Sequence, residues 1–241
     1  MTTTDKAVLV TGANRGIGQA LVEEALRRGA HRVYAGTRGP LAHRDARVTP
    51  LVLDVTDETQ IQAAVESVES LDLLINNAGI ALYDDLSDRG VLEQHLTVNL
   101  FGTYAVSQAF LPLLTRSHGA IVNNASMMAF APLPLTPAYA VSKAALFNMT
   151  QSLRALLAPL GVRAHAVLTG PTDTDMTRGF EIPKATAESV ARAIFDGVDN
   201  GDDDIFPDPL SELLADSWRN GPAKAFELQY AALVNATPIA S

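Results

Sequence analysis

Apolar residues come in short bursts along this chain, separated by longer stretches in which they recur at helical spacing. Ala7-Val8-Leu9-Val10 is the first burst and is rich in β-branched residues. It predicts a strand at 7–10, and similar runs predict strands near 32–36, 48–53, 72–75, 119–123, 162–167 and 204–206. The periodic stretches predict helices near 17–28, 57–69, 91–114, 138–158 and 186–198, with shorter ones after Asp208. Strands alternating with helices imply an α/β fold, a parallel sheet of about seven strands with helices on both faces. Ligands in such sheets bind outside the carboxyl ends of the strands. Gly12, Arg38, Asn77, Ser126 and Gly170 all fall just after predicted strands, so one sheet edge gathers them.

Two of the predicted helices are apolar over much of their circumference. One carries Phe101, Tyr104, Ala105, Val106, Ala109, Phe110 and Leu111; the other carries Ala144, Ala145, Leu146, Phe147, Met149, Leu153, Leu156 and Leu157. A helix apolar all round is covered on two sides. The sheet is one cover, and the other is either a second subunit or more of the same chain.

Composition narrows the class. The 241 residues are 47% hydrophobic, enough for one substantial core and for a single domain over 1–241. There is no cysteine, which removes disulfides, thiol catalysis and cysteine-ligated metals. A net charge of −9 argues against a nucleic-acid partner. The N-terminal Met-Thr-Thr-Thr-Asp-Lys has no signal-peptide character, and no apolar run approaches the ~20 residues of a membrane span. The expectation is a soluble, cytoplasmic protein with no membrane partner. His31, His43, His95, His118 and His165 are scattered without a pair at metal-ligand spacing; no metal is expected, and they are assigned to surface or core.

Chemistry enters at two places. After the first strand come Thr11-Gly12-Ala13-Asn14-Arg15-Gly16-Ile17-Gly18, then a helical pattern that Gly29 ends. Strand, glycine turn and helix N-terminus form the context of a dinucleotide site: glycines let backbone approach a pyrophosphate, and free N–H groups at the helix end hold the anion. Farther on, Tyr139-Ala-Val-Ser-Lys143 places a phenol and an ammonium on one helix face, at i and i+4. A charge ~5 Å from the phenol, at an effective dielectric of ~20, favours phenolate by roughly 3 kcal/mol, about two pKa units. That expectation brings the tyrosine toward the pH range of acid–base work.

The glycine spacing T-G-x-x-x-G-x-G resembles that of the short-chain dehydrogenase/reductase family in its single-domain form. The resemblance continues in chain order. Asn76-Asn77-Ala78-Gly79 is similar to the family's N-N-A-G, Asn99 to its helix asparagine, Ser126 to its serine 13 residues before the tyrosine, and Tyr139 with Lys143 to its Y-x-x-x-K. It implies a Rossmann-type, doubly wound sheet and a nicotinamide cofactor. It further implies that Tyr139 gives a proton to a carbonyl oxygen while NADPH supplies hydride, that Ser126 bonds the same oxygen, and that Lys143 lowers the tyrosine pKa and bonds the nicotinamide ribose. Asn99 is implied to hold a water linking Lys143 to solvent. The cofactor set carried over is Gly12, Asn14, Arg15, Gly16, Ile17, Gly18, Arg38, Asp54, Val55, Asn77, Ala78, Gly79, Tyr139, Lys143, Pro171, Thr172 and Thr174. Asp54, on its residues alone, serves equally as a helix cap.

NAD-preferring members carry an acidic residue where Thr37 stands. Here Arg38 follows instead, and Arg15 is a second cation in the glycine loop, so NADP(H) is favoured over NAD(H). Thr169-Gly170-Pro171-Thr172 departs from the family's Pro-Gly order, which bears on the carboxamide role assigned to Thr174. Met127, Met128, Phe130, Leu133, Met176 and Phe180 are the substrate-pocket candidates, and they suit an apolar ketone or secondary alcohol. Trp218 and Phe226 suggest a lid or a subunit contact, and family members pair their apolar helices into homodimers or homotetramers. An NADPH-dependent carbonyl reductase is the leading expectation. The alternatives are an NAD-dependent alcohol dehydrogenase working oxidatively and a non-catalytic NADP-sensing regulator.

Overall fold

The computed structural model describes residues 2–236; residue 1 and residues 237–241 of the expected 1–241 unit lie outside the described residues. Seven strands form one parallel sheet: β1 (Ala7–Thr11), β2 (Arg32–Thr37), β3 (Val48–Val52), β4 (Leu73–Asn76), β5 (Ala120–Asn124), β6 (Arg163–Val167) and β7 (Asp204–Ile205). Their spatial order is β3-β2-β1-β4-β5-β6-β7. The order reverses between β1 and β4, where neighbouring loops diverge to opposite faces and leave a crevice.

Strand β1 shows why its sequence is continuously apolar. Val8 and Val10 pack on one face with α1 (Gly16–Arg27) and α6 (Ala187–Asn200). Ala7 and Leu9 pack on the other, with α2 (Glu58–Ser67), α4 (Thr103–Ser117) and α5 (Pro137–Leu157). Both faces are dry, so the alternation of a one-faced sheet is absent.

The predicted 91–114 helix is longer and has two breaks in its regularity. It runs as α3 (Arg89–His95), a π-helical turn (Leu96–Gly102) and α4, and Pro112 lies inside α4. Gly102 sits tight against Val55 there, a Cβ on it meeting Val55 Cγ2 at 2.7 Å. Beyond β7, α7 (Pro209–Arg219) and α8 (Pro222–Ala236) complete the described chain. Trp218 packs on Phe130 and Phe147, with ring centroids 5.0 and 5.2 Å away, and its Nε1 donates to Asp204 Oδ2 at 2.8 Å. It is a core pin, not a lid. Phe226 is exposed and stacks on Tyr230. Arg154, Asp204, Lys224 and Glu227 form an ion network that fastens α8 to α5 and β7.

His165 on β6 is buried, and burial pushes its imidazole below the ordinary 6.5. Its Nδ1 donates to the Asp202 carbonyl at 2.6 Å, and Nε2 is buried with no hydrogen-bond partner. The unfolded chain therefore takes up a proton that the native fold refuses. Stability is expected to fall as pH drops below about 6.5, by up to about 1.4 kcal/mol per unit. The urea midpoint of the wild type should decline more between pH 7.5 and 5.5 than that of His165→Gln; equal declines would remove His165 as the cause.

Candidate active site

The glycine turn leaves β1 with Gly12 at φ +66° and Gly16 at φ +53°. Gly18 approaches so closely that a Cβ on it would lie 2.0 Å from the Gly12 carbonyl oxygen. The N-terminus of α1 has no side-chain cap at Arg15, which leaves its first-turn N–H groups without a capping side chain. A turn this tight, ending in an uncapped helix, fits a dinucleotide pyrophosphate. Asn14 and Ile17 belong to the same turn.

The loop after β4 is bonded to this turn. Thr11 Oγ1 accepts from the N–H groups of Asn77 and Ala78, both at 3.0 Å, and Asn77 Nδ2 donates to the Thr11 carbonyl at 3.1 Å. Gly79 comes next, where a Cβ would meet Asn99 Oδ1 at 3.1 Å and Lys143 Nζ at 3.6 Å. Gly79 thus opens the space in which the asparagine and lysine meet the loop.

Asn99 lies in the π-helical turn and is fully buried. Its Nδ2 donates to the Ile80 carbonyl at 3.0 Å and to Ser142 Oγ at 2.9 Å, and its Oδ1 accepts from Ile80 N–H at 2.9 Å. Two of these bonds brace the loop after β4, and the third ties the amide to α5.

Tyr139 and Lys143 sit in the first two turns of α5, whose N-terminus begins at Pro137. Lys143 is buried, and its Nζ donates to the Asn124 carbonyl at 2.6 Å and stands 5.6 Å from the Tyr139 ring centroid. Burial pushes the ammonium down to about 8. Burial also pushes the Tyr139 phenol up to about 12, while the Ser126 side chain pulls it the other way. The expected lowering by Lys143 is thus outweighed: desolvation penalises phenolate and ammonium alike, and the lysine spends its short contact on a carbonyl. Ser126, at the end of β5, accepts from Met128 N–H at 3.1 Å and donates to the Thr169 carbonyl at 3.2 Å.

The remaining sequence candidates are distributed around these groups. Thr174 borders the glycine turn, with its Cγ2 3.1 Å from where a Gly16 Cβ would stand. Pro171 accepts from Ala185 N–H at 3.0 Å, and Thr172 is buried, so the segment from 171 to 185 closes on itself beside that turn. Arg15 forms an ion pair with Asp175 at 2.9 Å, and Arg38 is exposed on the loop after β2. Asp54 Oδ1 accepts from Thr56 N–H and Oγ1, while Asp57 caps α2; the helix-cap alternative for Asp54 is removed. Val55 is buried against Gly102. Met127 and Met128 are half-buried in the short turn after Ser126, Leu133 is half-buried, and Met176 is exposed. Phe130 lies in the aromatic cluster with Phe147, Phe206 and Trp218.

Three residues were missed. Asn124 is the hub: beyond its carbonyl on Lys143, it donates to Asn77 Oδ1 at 3.0 Å and accepts from Thr169 Oγ1 at 2.6 Å. Its only sequence signal was a polar residue closing an apolar strand. His95 is fully buried with its ring edge toward Tyr139, centroids 6.3 Å apart. Asp84 accepts from Ala138 N–H and caps α5 one residue before Tyr139. Among the described residues no cluster of three or more His, Asp or Glu could hold a metal ion, and no helix is long and apolar enough to cross a membrane.

The chain and its fold are matched in known proteins. The profile of the family described as short chain dehydrogenase matches residues 6–184. The chain belongs to that family. An uncharacterised oxidoreductase of Staphylococcus epidermidis is 34% identical over 79% of this chain and 89% of its own length. A short chain dehydrogenase from Burkholderia cenocepacia, solved with NADP, superposes with a TM-score of 0.87 at 34% identity, covering 95% of this chain and 98% of its own. An NADPH-bound carbonyl reductase from chicken fatty liver gives 0.73 at 31% identity, covering 80% and 86%. The seven-stranded parallel sheet is the Rossmann-type sheet of these neighbours.

The exchanged Gly170-Pro171 pair has a local cause. Gly170 N–H donates to Asp208 Oδ2 at 2.7 Å, and a Cβ at Gly170 would lie 2.3 Å from Asp208 Oδ1. Asp208 is buried and also caps α7 through Leu210 N–H and Ser211 N–H, so it has no room to retreat. Glycine at 170 is what lets the exit of β6 touch the cap of α7. Gly170→Ala is expected to cost about 1–3 kcal/mol of stability, read as a lowered urea midpoint at unchanged slope; an unchanged midpoint would show that the contact relaxes freely.

Proposed function

We propose that this chain is an NADPH-dependent reductase of apolar ketones, running in reverse as a secondary-alcohol dehydrogenase. The observation that carries the reading is the convergence of Tyr139, Ser126 and Lys143 beside the glycine turn, at the carboxyl edge where β1 and β4 part. Bound reduced nicotinamide supplies the hydride. The chain's own residues supply position and a proton. Tyr139 donates its phenolic proton to the substrate oxygen, and Ser126 hydrogen-bonds that oxygen and fixes its place. Lys143, held by Asn124, places a positive charge where the phenol oxygen becomes negative. A phenol pushed up to about 12 is protonated throughout the neutral range, which suits an acid in the reductive direction.

For the cofactor, Gly12, Gly16, Gly18, Asn77, Ala78 and Gly79 form the floor. Arg15 and Arg38 are the cations toward an adenosine 2′-phosphate, and Thr37 takes the place of a repelling carboxylate. The NADP and NADPH of the Burkholderia and chicken proteins support that preference. Exposed Phe101, Tyr104, Val141 and Leu156 leave apolar surface on the two helices expected to pair, and a homodimer or homotetramer through them is the assembly that fits.

The test is direct. NADPH should bind more tightly than NADH in a fluorescence titration, and a panel of apolar ketones should drive its oxidation. Tyr139→Phe should lower turnover by about 10²–10⁴-fold with NADPH affinity retained; full activity in that variant would end the proposal.

Lys143 sets a pH limit. Its ammonium is charged below about 8 and neutral above it. The reductive kcat/KM is therefore expected to stay level from pH 6 to 7.5 and to fall above about 8, while the oxidative rate rises with pH as the phenol gives up its proton. A reductive profile that climbs through pH 9 would refute the assigned role of Lys143.

A further inference from the structure

One exposed aromatic in this chain stands on unusually fixed backbone. Tyr83 is 68% exposed, yet the residues on both sides of it are bonded into the core. Leu82 N–H donates to His95 Nε2 at 3.0 Å. His95 Nδ1 lies 2.8 Å from the Val91 carbonyl, so it is the donor there and Nε2 is the acceptor. On the other side, Asp84 N–H donates to the Leu135 carbonyl at 3.3 Å, and the Asp84 carboxylate caps Ala138 N–H at 3.2 and 3.3 Å. Asn99 grips Ile80 from both its N–H and its carbonyl. The strap from 80 to 84 is thereby fastened to the two elements that flank Tyr139: His95 meets its ring edge-on, and Ala138 precedes it in the chain.

Across the crevice lies the segment from 171 to 185, which borders the glycine turn through Thr174 and Arg15. Phe180 projects from it, and its ring meets that of Tyr83 at 6.1 Å between centroids and 34° between planes. Its arm begins at Gly179, which has φ +89° and open space where a Cβ would be. Phe180 N–H donates back across Gly179 to the Thr177 carbonyl at 3.2 Å, so both rings stand on bonded backbone and meet through their side chains. Leu82 on the strap, Leu86 two residues beyond it, Leu135 bonded to it, and Met176 and Ile182 on the opposite segment are also exposed. Exposed apolar side chains on both facing segments suit a place where something apolar binds.

We propose that Tyr83 and Phe180 are the specificity-determining pair of this site, clamping the flat ring of an aryl or alicyclic ketone between their faces. The proposal rests on the ketone-reductase reading above and adds its substrate class. A flat ring needs roughly 7 Å between the two faces, from contacts of 3.5 Å on each side. Phe180 makes that room by turning its side chain about its own bonds, while the backbone under both rings stays in place. Aromatic contacts of this kind are offset or tilted and select flat rings over short acyclic chains.

The experiment titrates NADP-saturated protein with α-tetralone in a calorimeter, for wild type, Tyr83→Ala, Phe180→Ala and Tyr83→Phe. Each alanine variant is expected to weaken α-tetralone binding about tenfold, and Tyr83→Phe to bind as wild type does. The kcat/KM ratio of α-tetralone to 2-butanone should fall about tenfold in the alanine variants, with NADP affinity unchanged as the control for folding. Unaltered α-tetralone affinity in both alanine variants would overturn the clamp, as would no α-tetralone binding by the wild type or an equal loss on both ketones. Failure of the wild type to reduce either ketone would instead sink the reductase reading, and the affinity comparison would still decide the clamp.

Discussion

The seam between the carboxyl ends of β1 and β4 is the constraint on which the rest of the structure depends. The backbone packs there at distances that leave little or no room for a Cβ. Gly18 would place a Cβ 2.0 Å from the Gly12 carbonyl, and Gly12 would place one 3.0 Å from Ala78 Cα. Thr11 Oγ1 closes the seam by accepting two N–H groups from the facing loop. The same closure brings the Asn77 side chain within 3.0 Å of Asn124 Nδ2 on the next strand. The glycine turn and the tyrosine–lysine helix, separated by more than 100 residues of chain, are thus joined through Thr11, Asn77 and Asn124 before any ligand arrives.

Burial sets the electrostatics of that joined site. An isolated phenol–ammonium pair in a uniform medium favours phenolate, and the spacing of Tyr139 and Lys143 led to that expectation. In the folded chain each group loses water, and each loss opposes its charge. The lysine moves down to about 8 and the tyrosine up to about 12, so the resting pair is phenol and ammonium at neutral pH. A proton therefore waits on Tyr139, and the charge that eases its departure waits on Lys143. The Asn124 carbonyl keeps that ammonium from retreating to solvent.

Legibility in the sequence followed the range of the interactions. The strands were visible because both sheet faces are dry and β1, β4 and β5 each open on three or more apolar residues in a row. The glycine turn and the Tyr139–Lys143 pair were visible because each is defined within eight residues of chain. Asn124, His95 and Asp84 were not, because each acts through a partner brought near only by folding: Lys143 for the first, Tyr139 and Leu82 for the second, the N-terminus of α5 for the third. The Gly170-Pro171 order looked like a departure from a pattern and proves to be a steric requirement set by Asp208, 38 residues away. Helix breaks were also hidden, since a π-helical turn at 96–102 leaves the apolar periodicity almost unchanged. Phe130 shows the converse limit: its type suited a pocket, and its packing against Phe206, just after β7, and Trp218 of α7 could not be read from the chain.

That packing of Phe130 links the far end of the chain to the site. Phe130 follows the turn of Met127–Ala129, which Ser126 caps by accepting from Met128 N–H. Trp218 packs against Phe130 and is itself tied to Asp204, a buried carboxylate shared with Arg154 and Lys224. Asp208, at the head of the same helix, holds Gly170 at the start of the segment that borders the glycine turn. The helix α7 thus bears on both sides of the crevice, on Ser126 through aromatic packing and on the 171–185 segment through one carboxylate. A rigid element in that position fixes how far the two sides stand apart, and leaves adjustment to the side chains that line the crevice.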